Sequence, residues 1–96
     1  MENGEYPGYR FSENRWVDEH DESWATPPKM INGETYRLEP PQSGRDGTFA
    51  EITCYARIPD DENMYAVEGI PVGSNRKVLT TLRWKPGGSA LIPLQQ

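Results

Sequence analysis

The 96-residue chain has one cysteine, one histidine and no long apolar run. A lone Cys54 cannot close an internal disulfide. That excludes a disulfide scaffold and suits a reducing, cytoplasmic setting. A lone His20 would have to serve any Ser-His-Asp or Cys-His system. It sits inside the charged run Asp18-Glu19-His20-Asp21-Glu22, where no rigid element is evident to hold it near a nucleophile. The lack of a long apolar run excludes a membrane-spanning helix. Leu, Ile, Val and Phe number only sixteen together, fewer than a typical globular chain of this size carries. The opening Met1-Glu2-Asn3-Gly4-Glu5 is acidic and lacks the apolar core of a secretory signal. These absences together fit a cytoplasmic protein of bacterial or viral type.

Other motifs are missing too. Gly69 and Gly73 are not followed by Gly-Lys-Ser/Thr, so no phosphate cradle is present. Asp60-Asp61-Glu62 lacks the alternating carboxylates and distal Glu of a calcium loop and reads as a solvated hairpin tip. The acids around His20 match no metal-ligand spacing. Cys54 alternates with aliphatic residues and reads as a small buried hydrophobe rather than a reactive thiol. The chain is expected to be non-catalytic, without cofactor or metal.

What is present is punctuation, charge asymmetry and aromatic rings. Glycine and proline number nine each, too frequent for long helices. Net charge is -5, unevenly placed. Residues 1–25 hold seven acids against Arg10 and Arg15, whereas residues 71–96 hold Arg76, Lys77, Arg83 and Lys85 and no acid. The first 25 residues also contain Tyr6, Tyr9, Phe11, Trp16 and Trp24, half of all the rings. The chain therefore divides into an acidic, aromatic, loosely structured segment, 1–25, and a small β domain, 26–96. Within the segment, a hairpin pairing Tyr9–Phe11 with Arg15–Val17 and a helical turn over Asp18–Ala25 are the local expectations.

From Lys29 onward, turn signals separate period-two runs. Asn32-Gly33 predicts a tight hairpin between Lys29–Ile31 and Glu34–Leu38. Thr48–Ile58 is the strongest strand, with Ala50, Ile52, Cys54, Ala56 and Ile58 on an inner face. Phe49, Glu51, Thr53, Tyr55 and Arg57 fall on an outer face. Met64–Glu68 is its return strand. Lys77–Trp84 places Val78, Thr80, Leu82 and Trp84 inward, and Ser89–Leu94 ends the set as an edge strand that could pair with another copy. About six strands would form an all-β antiparallel meander. A sheet this small hides its edges by curling into an SH3-like or OB-like barrel or a compact sandwich.

Two readings of function follow. The first is a non-catalytic protein-interaction module, a small accessory or inhibitor protein that docks on a basic surface of another protein. Its contact residues would be Tyr9, Phe11, Trp16 and Trp24 as apolar anchors, with Glu13, Asp18, Glu19, Asp21 and Glu22 as a steering rim. In a stronger version these carboxylates imitate nucleic-acid phosphates. The alternative is a nucleic-acid-binding barrel using Tyr55, Arg57, Arg76, Lys77, Arg83 and Lys85, with cations for phosphates and rings for bases. The acidic balance, with a pI near 4.8, weighs against it. No membrane partner is expected under either reading.

Overall fold

A computed structural model describes residues 6 and 8–94. Glu2 and Glu5, the first acids of the N-terminal segment, lie outside the described residues. All regular structure described is β. Strands β1 (Tyr9–Ser12), β2 (Arg15–Asp18) and β3 (Ser23–Trp24) form a three-stranded antiparallel sheet. Strands β4 (Thr35–Gly44), β5 (Gly47–Ile58), β6 (Asp61–Gly69), β7 (Val78–Arg83) and β8 (Ala90–Pro93) form a second antiparallel sheet in the order β7-β6-β5-β4-β8. The described strands thus number eight rather than about six, because the segment 1–25 contributes a sheet of its own.

The small sheet follows from its turns. Glu13 and Asn14 both take positive φ, 53° and 65°. That is the two-residue turn whose twist matches a hairpin. The expected helical turn over Asp18–Ala25 does not form. Instead Asp18 Oδ1 accepts the backbone N–H groups of His20 and Glu22, each at 2.9 Å. A side chain that satisfies its own following amides competes with a helix and reverses the chain, here into β3.

The hairpin expected around Asn32-Gly33 is also corrected. Gly33 does turn, at φ 88°, but residues 29–31 are not a strand. Lys29 N–H goes to the Tyr65 hydroxyl at 2.8 Å and Ile31 N–H to the Tyr36 hydroxyl at 2.9 Å. Their amides serve side chains rather than a ladder, and Met30 and Ile31 become buried filling. Pro27 and Pro28, just upstream, have no N–H to give a strand.

In β5 the inner face departs from strict alternation. Ile52 and Cys54 are buried as expected, but Phe49 and Arg57 are buried too, and Ala50, Ala56 and Ile58 are only partly covered. Cys54 pairs with Val67 while Ala56 pairs with Ala66, so Tyr55 is an extra, bulged residue. One extra residue turns every later side chain to the opposite face. Arg57 therefore points inward. On the other flank the β4 pairing shifts between Arg37 and Gln42, an isolated backbone bridge joins Phe49 to Pro71, and the Phe49 ring is buried.

Met30, Tyr36, Leu38, Phe49, Ile52, Cys54, Tyr65, Val67 and Leu82 make the core. Thr80 and Leu82 of β7 are buried as the alternation predicts, with Val78 and Trp84 packed at the margin. Gly69 lets β6 approach β5 closely: a Cβ there would lie 2.7 Å from the Glu51 carbonyl oxygen.

The larger sheet curls without closing. Gln42 Nε2 donates to the Arg83 carbonyl at 2.5 Å. In a flat sheet β4 and β7 would stand three spacings apart, roughly 14 Å. No ladder forms across this seam, so the barrel expectation is corrected to two open antiparallel sheets. The part of β4 that meets β7 is Gln42 and Gly44, just past Pro40 and Pro41, which cannot donate to a ladder.

Candidate functional site

In an antiparallel sheet, directly opposed residues share a face. Tyr9 opposes Asp18, Phe11 opposes Trp16, and Trp16 opposes Trp24. One face of the small sheet therefore carries Tyr9, Phe11, Trp16, Asp18 and Trp24 together. Its inner and outer ends have different fates.

The inner end is clamped onto the large sheet through Arg57. The Trp24 ring lies 4.1 Å and the Tyr9 ring 5.7 Å from the guanidinium carbon. Arg57 Nη2 donates to the Thr26 carbonyl at 3.2 Å, while its Nε and Nη1 are buried without a hydrogen-bond partner. Ring faces supply the attraction that acceptors do not. Asp18 Oδ2 accepts the Trp24 indole N–H at 3.1 Å. Glu62 straps the following residues, accepting Ala25 N–H at 3.0 Å and the Thr26 hydroxyl at 2.7 Å. Those two bonds hold its carboxyl below the usual carboxylate range. Burial raises the Tyr9 phenol well above its ordinary value, against the opposing pull of Arg57.

The outer end faces solvent. Phe11 meets Trp16 at 5.0 Å between centroids and Tyr6 meets Trp16 at 5.1 Å, both edge-on. Phe11 is 58% exposed. Glu13, Glu19, Asp21 and Glu22 are all exposed. Asp21 pairs with Arg10 at 3.5 Å, and Glu19 lies 3.6 Å from His20. Among the described residues Glu13 and Glu22 have no ion pair.

The residues read from sequence as one docking set are therefore divided. Tyr9 is half-buried against Arg57, and Trp24 and Asp18 are inside, 2% and 5% exposed. Phe11 and the four exposed carboxylates remain at the surface, with half-buried Trp16 beside Phe11 and half-buried Tyr6 against Trp16. Ring content alone could not separate the two groups, because the division depends on which end of the sheet meets Arg57.

The alternative basic set is scattered. Arg57 is buried, Tyr55 stands 64% exposed on its bulge, and Arg76 lies in the loop before β7. Lys77 borders a shallow depression of about 290 Å³ shared with Glu51, Glu68 and Ile70. Arg83 is paired with Asp61. Lys85 borders a wider depression of about 700 Å³ along the seam, with Arg45, Pro40 and Pro41. The expected solvated tip Asp60-Asp61-Glu62 also has work inside the fold, since Asp61 holds Arg83 and Glu62 holds residues 25 and 26.

The Cys54 thiol is buried and pushed up to about 12 by desolvation, with Asn32 Oδ1 at 3.7 Å as its acceptor. At neutral pH it is a thiol and not a thiolate nucleophile. Among the described residues no three His, Cys, Asp or Glu side chains gather as metal ligands. No helix among them is long and apolar enough to cross a membrane. In comparisons with known proteins, no family model, no curated protein and no solved structure matches this chain.

Proposed function

We propose that the protein is a non-catalytic protein-interaction module that docks through the outer end of its small sheet. Phe11, Trp16 and Tyr6 are the apolar contact, and Glu13, Glu19, Asp21 and Glu22 form the rim. The partner offers a basic, partly apolar surface, as an accessory or inhibitor protein of a basic target would require. The observation that carries this reading is Phe11. It is a large ring left mostly in water on a sheet whose other end is firmly buried. Rings in such positions supply the area of binding hot spots, and rim carboxylates raise the association rate in a salt-dependent way. The single buried thiol suits a cytoplasmic setting.

The test compares the wild-type chain with Phe11→Ser in affinity capture from the source cell, followed by purified binding at two salt concentrations. A protein that binds the wild type, binds the variant at least about tenfold more weakly and weakens with salt supports the reading. A partner that binds both chains equally overturns it.

A further inference from the structure

We propose that the outer edge of β7 is a second docking site, independent of the small sheet, which accepts an extended acidic segment of a partner protein as an added strand. In an antiparallel ladder, residues alternate between directing N–H and C=O at the neighbouring strand and directing them away. The Trp84 N–H bond to the Asn63 carbonyl, 2.7 Å, sets the phase of the β6–β7 ladder. Val78, Thr80 and Leu82 therefore face β6, and Leu79, Thr81 and Arg83 face away. The Gln42 side chain on the Arg83 carbonyl agrees with that phase. β4 covers the far end of this edge: a Cβ on Gly44 would sit 3.8 Å from the Thr81 carbonyl oxygen. The near end, Leu79 with Lys77 before it, has no strand beside it among the described residues.

The other edges differ. On β8, the Leu94 N–H bond to the Thr35 carbonyl, 2.9 Å, sets Leu91 and Pro93 outward, and Pro93 has no N–H to offer. β3 is two residues long. On β1 the Tyr9 N–H already goes to the Tyr6 carbonyl at 2.9 Å. β7 contains neither proline nor bulge, the usual devices that blunt an edge.

Charge selects the occupant. Residues 71–96 contain four cations and no acid. Asp61 engages Arg83, while Arg76, Lys77 and Lys85 have no ion pair among the described residues. A second copy pairing antiparallel on the same free end would bring its own Arg76 and Lys77 beside these cations, a like-charge contact that disfavours self-pairing. An acidic strand meets no such penalty. Leu79, 57% exposed, stands on the outer face near Ile70 and the depression bordered by Lys77. Glu68 lies opposite Leu79 on β6, so the added strand should present an apolar side chain at Leu79 and its acids toward Lys77 and Arg76. Leu79 and Lys77 are two residues apart and share one face, so an apolar residue and an acid spaced two apart on the added strand meet both needs.

The experiment uses the full chain and an octapeptide of Val-Val-Glu-Glu repeats with blocked ends, which sets Val and Glu in turn along each face. Amide shifts and fluorescence anisotropy are followed at low salt. We expect saturable binding with the largest amide shifts at Leu79 and its neighbours. Methylating the peptide backbone nitrogens on the side that faces β7 should weaken it about tenfold or more. Lys77→Glu should weaken it as well, with the circular dichroism unchanged. A Phe11→Ser chain should bind the peptide normally, which separates this site from the small-sheet reading. Equal binding of the methylated peptide, shifts located elsewhere, no binding at all, or an oligothymidylate of the same length bound at the same amides would each overturn the strand-addition proposal.

Discussion

Arg57 joins the two sheets by a charge held between rings. Arg57→Ala removes the contacts to Trp24 and Tyr9 and leaves a void. We expect a loss of about 2–4 kcal/mol in urea unfolding. Arg57→Met should cost less, because it refills the volume and also removes a buried cation whose Nε and Nη1 have no acceptor. Equal losses for the two variants would mean that the charge, not the packing, holds the joint. Cys54 makes a second prediction at this scale. Its folded thiol titrates at about 12, against about 8.5 in an unfolded chain. The unfolded state therefore loses its proton first, and stability should fall as pH rises from roughly 8.5 toward 12. The phenols of Tyr9, Tyr36 and Tyr65, all raised by burial, act in the same direction at higher pH. Native protein should resist thiol reagents at pH 8, with modification appearing only as the chain unfolds.

At the scale of strands, one close fit and one side-chain strap hold neighbouring elements together. Gly69→Ala would drive a methyl against the Glu51 carbonyl and the Phe49 ring. Overpacking of this kind costs about 1–3 kcal/mol, measurable as a lowered unfolding midpoint. The Glu62 strap predicts an acid limb. Its carboxyl is lowered chiefly by the Ala25 N–H and then by the Thr26 hydroxyl. A lowered acid stabilises the fold above its unfolded pKa, about 4.3, and loses that contribution as pH falls through the lower folded value. Glu62→Gln should flatten part of this limb in an acid titration followed by tryptophan fluorescence. Asp61 accounts for a further part, held down by the Asn63 N–H and then by Arg83. Much of this scale was readable in advance. The β1–β2 hairpin, the β5–β6 hairpin and the β7 faces follow from turn residues and alternation. The bulge at Tyr55 does not, because nothing in Cys54-Tyr55-Ala56 demands an extra residue. It forms where the β6 partner and the rings of the small sheet together draw Arg57 inward.

For the whole molecule, the small sheet behaves as a part of the fold with a free outer end. Strands of four, four and two residues are too short to be stable alone. A peptide spanning residues 1–26 should be unfolded in isolation. Deleting residues 1–25 removes Trp24 and Asp18 and uncovers Arg57. We expect a clear fall in the thermal midpoint, with the remaining sheet still cooperative. Phe11→Ser, by contrast, should change stability by no more than about 0.5 kcal/mol. A large loss from Phe11→Ser would assign that ring to the core and remove the basis of the docking proposal.

The all-β class, the turns at Glu13-Asn14 and Pro59-Asp60, the core role of Ile52, Cys54 and Leu82 and the charge asymmetry were settled by the sequence itself. Each is a local property: side-chain alternation, backbone freedom at a turn, or the sign of a charge. The tertiary structure alone decided which rings are buried, where Arg57 points and that the curled sheet stays open. Those outcomes depend on contacts between residues far apart in the chain. Arg57 meets Trp24 and Tyr9 across two sheets, and Gln42 reaches Arg83 across a seam where no ladder forms. A period-two pattern records which residues share a face. It does not record which face another layer will cover, because that depends on the free energy of packing the two layers together.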